Sequence, residues 1–402
     1  MYFDELKSLS IKNDNKIVLL VMDGLGGLPI EEGGPTELEA ANTPNMDALA
    51  KKSMLGLHQG IRSGITPGSG PAHLGLFGYD PLKYKVGRGV LSALGVDFDL
   101  RNSDVAARGN FCTVDENGII IDRRAGRIGS DVGEPLCKLL NDNVKIPGVE
   151  VFVRLVKEYR FLLVIRGEGL RANIAETDPQ MVGEKPLAAK ALDEASKRAA
   201  EVVQEFVMQA SAILADKHPA NMLVLRGFAE MPDWPTFPDL YGLKSAAIAM
   251  YPMYRGVAKL VGMNSFPAAY SYEEEIEMLE KHWEEYDFFF VHIKKTDSYG
   301  EDGDFAKKVH EIEKVDALLP RILALDPSVL IITGDHSTPC AMKSHSWHPV
   351  PVLLYAKTCR PDNIDRFGER ACLGGGLGVR FPAYELMPLA IAHAEKLEKF
   401  GA

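Results

Sequence analysis

Continuous apolar runs of strand length recur along the chain, and most of them stop at a glycine or a carboxylate. IVLLVMDG (17–24) reads as a buried strand ending at Asp23. YDFFFVHIKKTD (286–297) repeats the plan with Asp297 shortly past the run, and SVLIITGDH (328–336) repeats it with Asp335 and His336. VPVLLYA (350–356) is a fourth run of this kind. Unbroken rather than alternating apolar strands belong to a parallel sheet covered on both faces. Helical periodicity fills the intervals. Thr43-Pro44 combines an N-cap with proline at the first helical position and opens a helix over 44–53, while 273–286 and 304–324 read as amphipathic helices. Strands alternating with helices predict a doubly wound α/β fold.

The middle of the chain has a different texture. Residues 104–165 hold shorter strand-like segments punctuated by glycines, which predicts a mixed or antiparallel sheet, and a long helical run over 185–217 follows. MPDWPTFPD (231–239), rich in proline, reads as a semi-rigid connection. The expectation is a discontinuous core domain, 1–90 and 236–402, interrupted by an inserted α+β domain at 91–235, hinged near both junctions as a lid.

Length and composition fit this picture and remove others. A chain of 402 residues with 25% charged and 46% hydrophobic residues is ordinary for a globular protein of about two domains. The 45 Lys+Arg against 56 Asp+Glu leave a net charge of −11, which opposes broad binding to nucleic acid or anionic membranes but not a local basic pocket. No apolar run approaches the ~20 residues needed to cross a bilayer, and the first residues lack a secretory pattern. Five cysteines without a C-x-x-C pair argue against a disulfide framework and for a cytoplasmic protein with reduced thiols.

Candidate chemistry concentrates at the strand ends. Ligands of open parallel sheets gather outside the carboxyl ends of the strands. One aspartate there is usually a helix cap. Three of them (Asp23, Asp297 and Asp335), with His336 adjacent and His345 and His348 in the loop before the next run, form a credible ligand set for a pair of divalent cations. The second element is TPGSGPAHLG (66–75), a tight Gly-rich turn opening into a helix with Ser69 at the turn. A hydroxyl there faces backbone N–H groups and the positive end of a helix, a setting that suits a phosphorylated oxygen. His73, one helical turn on, either supports that site or packs in the core. Arg88, the Arg123, Arg124 and Arg127 cluster of DRRAGR, and Arg226 are candidates for bidentate phosphate and carboxylate binding.

Together VMDG, GSGPAHLGLFGYDP, GRGVLSALG, DRRAGR, YGLKSAAIA, the KTDxxGxDGD segment, TGDHSTP and the HSxxPVPVLLYA segment resemble the archaeal-type branch of the cofactor-independent phosphoglycerate mutases, within the alkaline phosphatase superfamily. The blocks run in order from about residue 17 to 356. The resemblance implies an alkaline-phosphatase-like, mostly parallel sheet and a metal-dependent intramolecular phosphotransferase acting on a small phosphorylated substrate. That enzyme interconverts 3- and 2-phosphoglycerate through a phosphoserine, with no bisphosphoglycerate. It implies Ser69 as nucleophile and Asp23, Ser69, Asp335 and His336 as ligands of one metal. Asp297 and His345 would hold the other, and Arg124, Arg127, Arg226 and Lys244 would surround the substrate and the transferring group. The family places a histidine four residues after the Asp297 equivalent, and this chain has Glu301 there. A carboxylate shifts the second site towards Mn²⁺ or Mg²⁺, with Zn²⁺ as the alternative. If Glu301 points elsewhere, His348 or water completes the shell. Two rivals remain: a phosphomonoesterase or phosphotransferase of the same superfamily, and a metal-binding scaffold without catalysis.

Overall fold

The computed structural model describes residues 3–401. In chain order the strands are β1 (Ile17–Met22), β2 (Ser53–Gln59), β3 (Asp104–Val114), β4 (Ile120–Asp122), β5 (Glu150–Lys157), β6 (Arg160–Arg166), β7 (Met222–Ala229), β8 (Ser245–Ala249), β9 (Asn264–Ser265), β10 (Phe288–Ile293), β11 (Val329–Thr333), β12 (Val350–Ala356) and β13 (Gly378–Pro382). The chain divides into two compact units, the first formed by Met1–Lys85 with Trp234–Ala402 and the second by Val86–Asp233.

The first unit carries an eight-stranded sheet in the order β13-β2-β12-β11-β1-β10-β8-β9. Its centre is parallel: β1 runs alongside β10 and β11, and β10 alongside β8. Every residue of β1, β10 and β11 is buried, as expected for strands covered on both faces. Val18 and Leu20 face the helices Pro44–Ala50, Tyr272–Lys281 and Phe305–Ala324 through Leu49, Ile276, Ile312 and Leu319. On the opposite face Phe290 meets Phe77 edge-on, with ring centroids 4.9 Å apart. Two sequence expectations change here. β12 is antiparallel to both β11 and β2, because a doubly buried strand reads the same in either direction. That direction matters, since the loop entering β12 then lies at the edge where β11 ends. The helix 44–53 also stops at Ala50, where β2 is about to begin.

The second unit is an antiparallel sheet of five strands, β4-β3-β6-β5 with β7 also on β3. The helices Ser130–Asn143 and Lys197–Leu214 bury Leu136, Leu140, Val203 and Phe206 against Val105, Phe161 and Leu225. The unit also contains the helix Arg88–Gly95, so its edge falls a few residues before the expected junction at 90. The helical run expected from 185 begins only at Lys197. Residues before it pair in extended form instead: Ala175 N–H donates to Lys190 O and Leu192 N–H to Asn173 O, and Asp193 caps the turn that starts the helix. Among the described residues no helix is long and apolar enough to cross a membrane, and all five cysteines are free.

Candidate active site

Sheet register assembles the centre of the site. Met22 pairs with Ile293 and Val21 with Thr333, so the next residues along place Asp23 between Lys294 and Asp335 at the carboxyl edge. Asp23 N–H donates to Ile293 O at 2.9 Å and Gly24 N–H to Asp335 Oδ1 at 3.1 Å, closing that edge. Ser69 is the first residue of the helix Ser69–Leu76, capped by Gly68. Its Oγ lies 3.2 Å from His336 Nε2 and shares the helix terminus with unpaired first-turn amides. His336 Nε2 is in turn 3.3 Å from Asp23 Oδ1 and 3.2 Å from Asp335 Oδ2.

Asp297, on the helix Lys295–Asp302, and His345, from the loop entering β12, complete a second group. His345 Nε2 is 3.5 Å from Asp297 Oδ1 and 3.8 Å from Glu301 Oε1, and its ring stacks on His336 at 3.7 Å. Glu301 follows Asp297 by one helical turn and so shares its face. Two sets of ligand atoms result, Asp23/Asp335/His336 and Asp297/His336/His345, each within 4.8 Å of one another. Asp23 Oδ1 and Asp335 Oδ2 are buried without a hydrogen-bond donor. Unspent carboxylate oxygens beside imidazole nitrogens are the donor set that Mn²⁺, Mg²⁺ or Zn²⁺ takes, so the residues fit divalent cations.

The electrostatics show how the cluster is held together. Burial alone would raise the Asp23 carboxyl, but the Lys294 ammonium, followed by His292 and His336, holds it well below the usual carboxylate range. Lys294 Nζ reaches Asp23 Oδ2 at 2.9 Å and Asp297 Oδ2 at 2.5 Å, bridging the two groups. Burial lowers His336 below its ordinary value, against the opposing pull of Asp335 and Asp23. His73 goes the other way. Desolvation opposes its charge, but Asp335 at 3.2 Å outweighs it and the pKa rises. His73 Nδ1 also lies 2.8 Å from Ser69 O, so this residue braces the helix start rather than merely filling the core. Tyr254 donates its hydroxyl to Asp23 Oδ2, and burial, then Asp23, pushes that hydroxyl's pKa well up.

Not every expected residue arrives here. Lys244 precedes β8, which is parallel to β10. Its N–H donates to Asp287 Oδ2 and its carbonyl accepts from Asp287, at the amino edge of the sheet. A strand of this length separates that edge from the cluster by roughly 16 Å. The exposed ammonium lies over the Tyr286 ring instead, so Lys244 is corrected from a site residue to an edge residue. His348 is likewise outside both ligand sets: its Nδ1 lies 3.0 Å from Ser346 Oγ and its ring stacks on Trp347.

The arginines belong to the second unit. Arg123 grips buried Asp178 through two hydrogen bonds of 3.2 and 2.7 Å. Arg226 Nε lies 3.7 Å from the same carboxylate and bonds Glu176 and Gln180. Gly227 leaves room for the Arg88 backbone beside it. Desolvation, then neighbouring Arg226, lowers the Arg88 pKa although its side chain keeps solvent access. Arg88, Arg123 and Arg226 are therefore brought together. Arg124 and Arg127 stay exposed on a strained turn in which Ala125, Gly126 and Arg127 all have positive φ, braced by Asp122.

Sequence reading missed Lys294, Tyr254 and Thr338. Lys294 had a signal: it is the first residue past an apolar strand. Tyr254 comes from the helix after β8 and Thr338 from the loop after β11, and neither carries a local pattern.

Fold and site together define a doubly wound α/β protein whose serine hydroxyl lies beside paired groups of candidate cation ligands at the carboxyl edge of its sheet. Comparison with known proteins narrows that class. The model of 2,3-bisphosphoglycerate-independent phosphoglycerate mutase matches residues 50–221. A probable enzyme of that name from Thermosipho africanus is 52% identical over 398 residues, covering 99% of this chain and 98% of the relative. Another from Thermus thermophilus is 51% identical over 404 residues, covering 100% and 99%. Among solved structures, PH0037 from Pyrococcus horikoshii matches with a TM-score of 0.81 at 31% identity, covering 97% of this chain and all of that one. A cofactor-independent phosphoglycerate mutase from Thermoplasma acidophilum gives 0.70 at 29% identity, covering 94% and 100%. The chain belongs to the 2,3-bisphosphoglycerate-independent phosphoglycerate mutase family, and so to a family of enzymes.

Proposed function

We propose that this enzyme interconverts 3-phosphoglycerate and 2-phosphoglycerate, with Ser69 as the residue that carries the phosphoryl group. The observation behind it is the placing of Ser69 Oγ, at a helix N-terminus and 3.2 Å from His336 Nε2, beside the buried carboxylates. Ser69 Oγ attacks the substrate phosphorus as the bond from phosphorus to the glycerate oxygen breaks, and the proton lost from Ser69 is balanced by the one that the departing glycerate oxygen takes up. The glycerate's other hydroxyl then takes the phosphoryl group back, restoring Ser69, so the reaction needs no external phosphate donor. Asp23, Asp335, His336 and Ser69 would hold one divalent cation; Asp297, His345 and Glu301 the second. Bound cations supply charge neutralisation and a lowered hydroxyl pKa at Ser69.

The chain's own residues do the rest. The helix terminus offers amides to the phosphoryl oxygens, and Lys294 keeps the carboxylates Asp23 and Asp297 in register. Arg88, Arg123 and Arg226 are assigned to the substrate's anionic groups, with the exposed Arg124 and Arg127 as outer contacts. Mn²⁺ or Mg²⁺ is the preferred cation because Glu301, where the family has a histidine, would add a carboxylate to the second set. The cytoplasm, where phosphorylated intermediates of sugar metabolism and reduced thiols coexist, is the compartment assigned.

The test is an enolase-coupled assay on cation-stripped protein with Mn²⁺, Mg²⁺ or Zn²⁺ returned, together with Ser69→Ala. A rate that returns with a cation and vanishes in Ser69→Ala, with phosphate trapped on Ser69 by mass spectrometry, supports the reading. No rate with any cation overturns it. One observation favours hydrolysis as a competitor: Glu301 is 57% exposed, which opens the second group to water. Release of inorganic phosphate from phosphoglycerate faster than isomerisation would make the protein a phosphomonoesterase. Bound cation with neither activity would leave only a scaffold.

A further inference from the structure

The two sets of cation ligands share more than His336. Thr338, fully buried two residues further on, touches both: its Oγ1 lies 2.6 Å from Asp297 Oδ1 and 3.0 Å from His336 Nδ1. We infer that Thr338 is a positioning residue whose single hydroxyl sets the tautomer of His336 and the orientation of Asp297 together, so that the two cation groups are prepared as one unit. The inference rests on the cation-centre reading above and deepens it.

The argument is an accounting of protons. A threonine hydroxyl has one proton to give, and a carboxylate oxygen can only accept. Lys294 already donates to the other oxygen of Asp297. The Thr338 proton therefore goes to Asp297 Oδ1, and the hydroxyl oxygen must accept from His336. That places the His336 proton on Nδ1 and leaves the Nε2 lone pair facing Ser69, Asp23 Oδ1 and Asp335 Oδ2. Without the hydroxyl the preference reverses. The proton on Nε2 would then find Asp23 Oδ1, a buried carboxylate oxygen with no hydrogen-bond partner, and Asp335 Oδ2, with His73 3.2 Å away, and a cation would have to displace that arrangement.

The surroundings hold Thr338 to this task. Its N–H donates to Gly26 O at 3.0 Å, and buried Lys308 donates to its carbonyl at 2.8 Å. A side chain at Gly24, which has φ +63°, would lie 2.5 Å from Thr338 Oγ1 and 2.9 Å from Asp297 Cβ. One at Gly300 would lie 2.3 Å from Thr338 O. The loop carrying Asp23 and the helix carrying Asp297 thus close on Thr338 through glycines, leaving the hydroxyl no alternative direction.

The experiment compares Thr338→Val and Thr338→Ala, which lack the hydroxyl, with Thr338→Ser, which keeps it, all in the full chain with folding checked by thermal unfolding. Binding of Mn²⁺ alone is titrated, the His336 tautomer is read by NMR on ¹⁵N-histidine protein, and kcat and KM are measured separately. The expected result is a 10- to 100-fold (roughly) loss of Mn²⁺ affinity in the Val and Ala variants and affinity within about threefold of the parent in the Ser variant. The proton should move to Nε2 only in the first two, and kcat should fall while KM holds. Parent-like Mn²⁺ affinity and tautomer in Val and Ala overturn the inference, as does a Ser variant as weak as Val. Because Mn²⁺ binding and the tautomer are read without substrate, failure of the mutase assay alone would overturn the proposed function and not this inference.

Discussion

The two candidate cation groups lie side by side yet are built differently. In the inner one, the side chains of Asp23, Asp335 and His336 are wholly buried, and two of them stand in adjacent register at the ends of β1 and β11. In the outer one, Asp297 and His345 come from a helix and a loop and join the shared His336; His345 is 22% exposed, and Glu301, 3.8 Å from its Nε2, is 57% exposed. Sheet geometry allows the inner group little adjustment, whereas the outer group can change its composition without disturbing the core. Under the proposed function, a rigid inner site beside Ser69 and an adjustable outer one would divide the work between holding the reacting oxygen and choosing the cation.

If the division is real, the largest effect should come from the inner group. Asp335→Asn is expected to lower kcat by at least about 10³-fold with little change in fold, because it removes charge from the buried group around Ser69. Glu301→Gln should cost roughly tenfold, the scale of an exposed, adjustable ligand. Steady-state kinetics and cation content measured on both variants check the contrast. Equal losses would show that exposure does not separate the two sites. Glu301→His sharpens the same point: the ratio of Zn²⁺ to Mn²⁺ affinity should rise by roughly tenfold as an imidazole replaces a carboxylate.

How far the sequence alone reached follows the same division. Asp23, Asp297, Asp335 and His336 were legible because each lies within four residues of the end of a continuous apolar strand, and strand ends converge in space. His345 was legible only as a residue before another such run. Its arrival at the site depends on β12 being antiparallel, which burial on both faces conceals. Lys244 was misplaced because its motif outweighed its position: it precedes a strand, and in a parallel sheet that means the far edge. Thr338 and Tyr254 act through tertiary contacts that no local pattern encodes.

Lys244 and Arg226 offer a smaller test of position against motif. Lys244→Ala should leave kcat/KM within about twofold, since loss of an exposed ammonium changes little beyond a screened surface charge. Arg226→Ala should raise KM by roughly tenfold, the scale of one charge-assisted contact. Both are read from initial rates across substrate concentration. A Lys244→Ala variant as impaired as Arg226→Ala would return the lysine to the site.

The smallest effect concerns a carboxylate buried in the same unit without a cation. Glu369 accepts from Gly27 N–H at 2.8 Å and from Thr36 Oγ1 at 2.5 Å, and burial first of all pushes its pKa up from 4.5 to about 7. Asp23 is buried too, but Lys294 and two histidines pull it the opposite way, so the pair isolates what neighbouring positive charge contributes. Between pH 4.5 and 7 folded Glu369 keeps a proton that the unfolded chain has released. Its protonated form therefore adds stability that is complete below 4.5 and is lost as pH rises through 7. Glu369→Gln fixes the neutral form, so the variant should gain on the parent by on the order of 2–3 kcal/mol between about pH 5 and about pH 8, with kcat unchanged. Thermal unfolding of both proteins across that range measures it. A difference that stays flat would mean that the two hydrogen bonds stabilise the Glu369 carboxylate as well as a cation would.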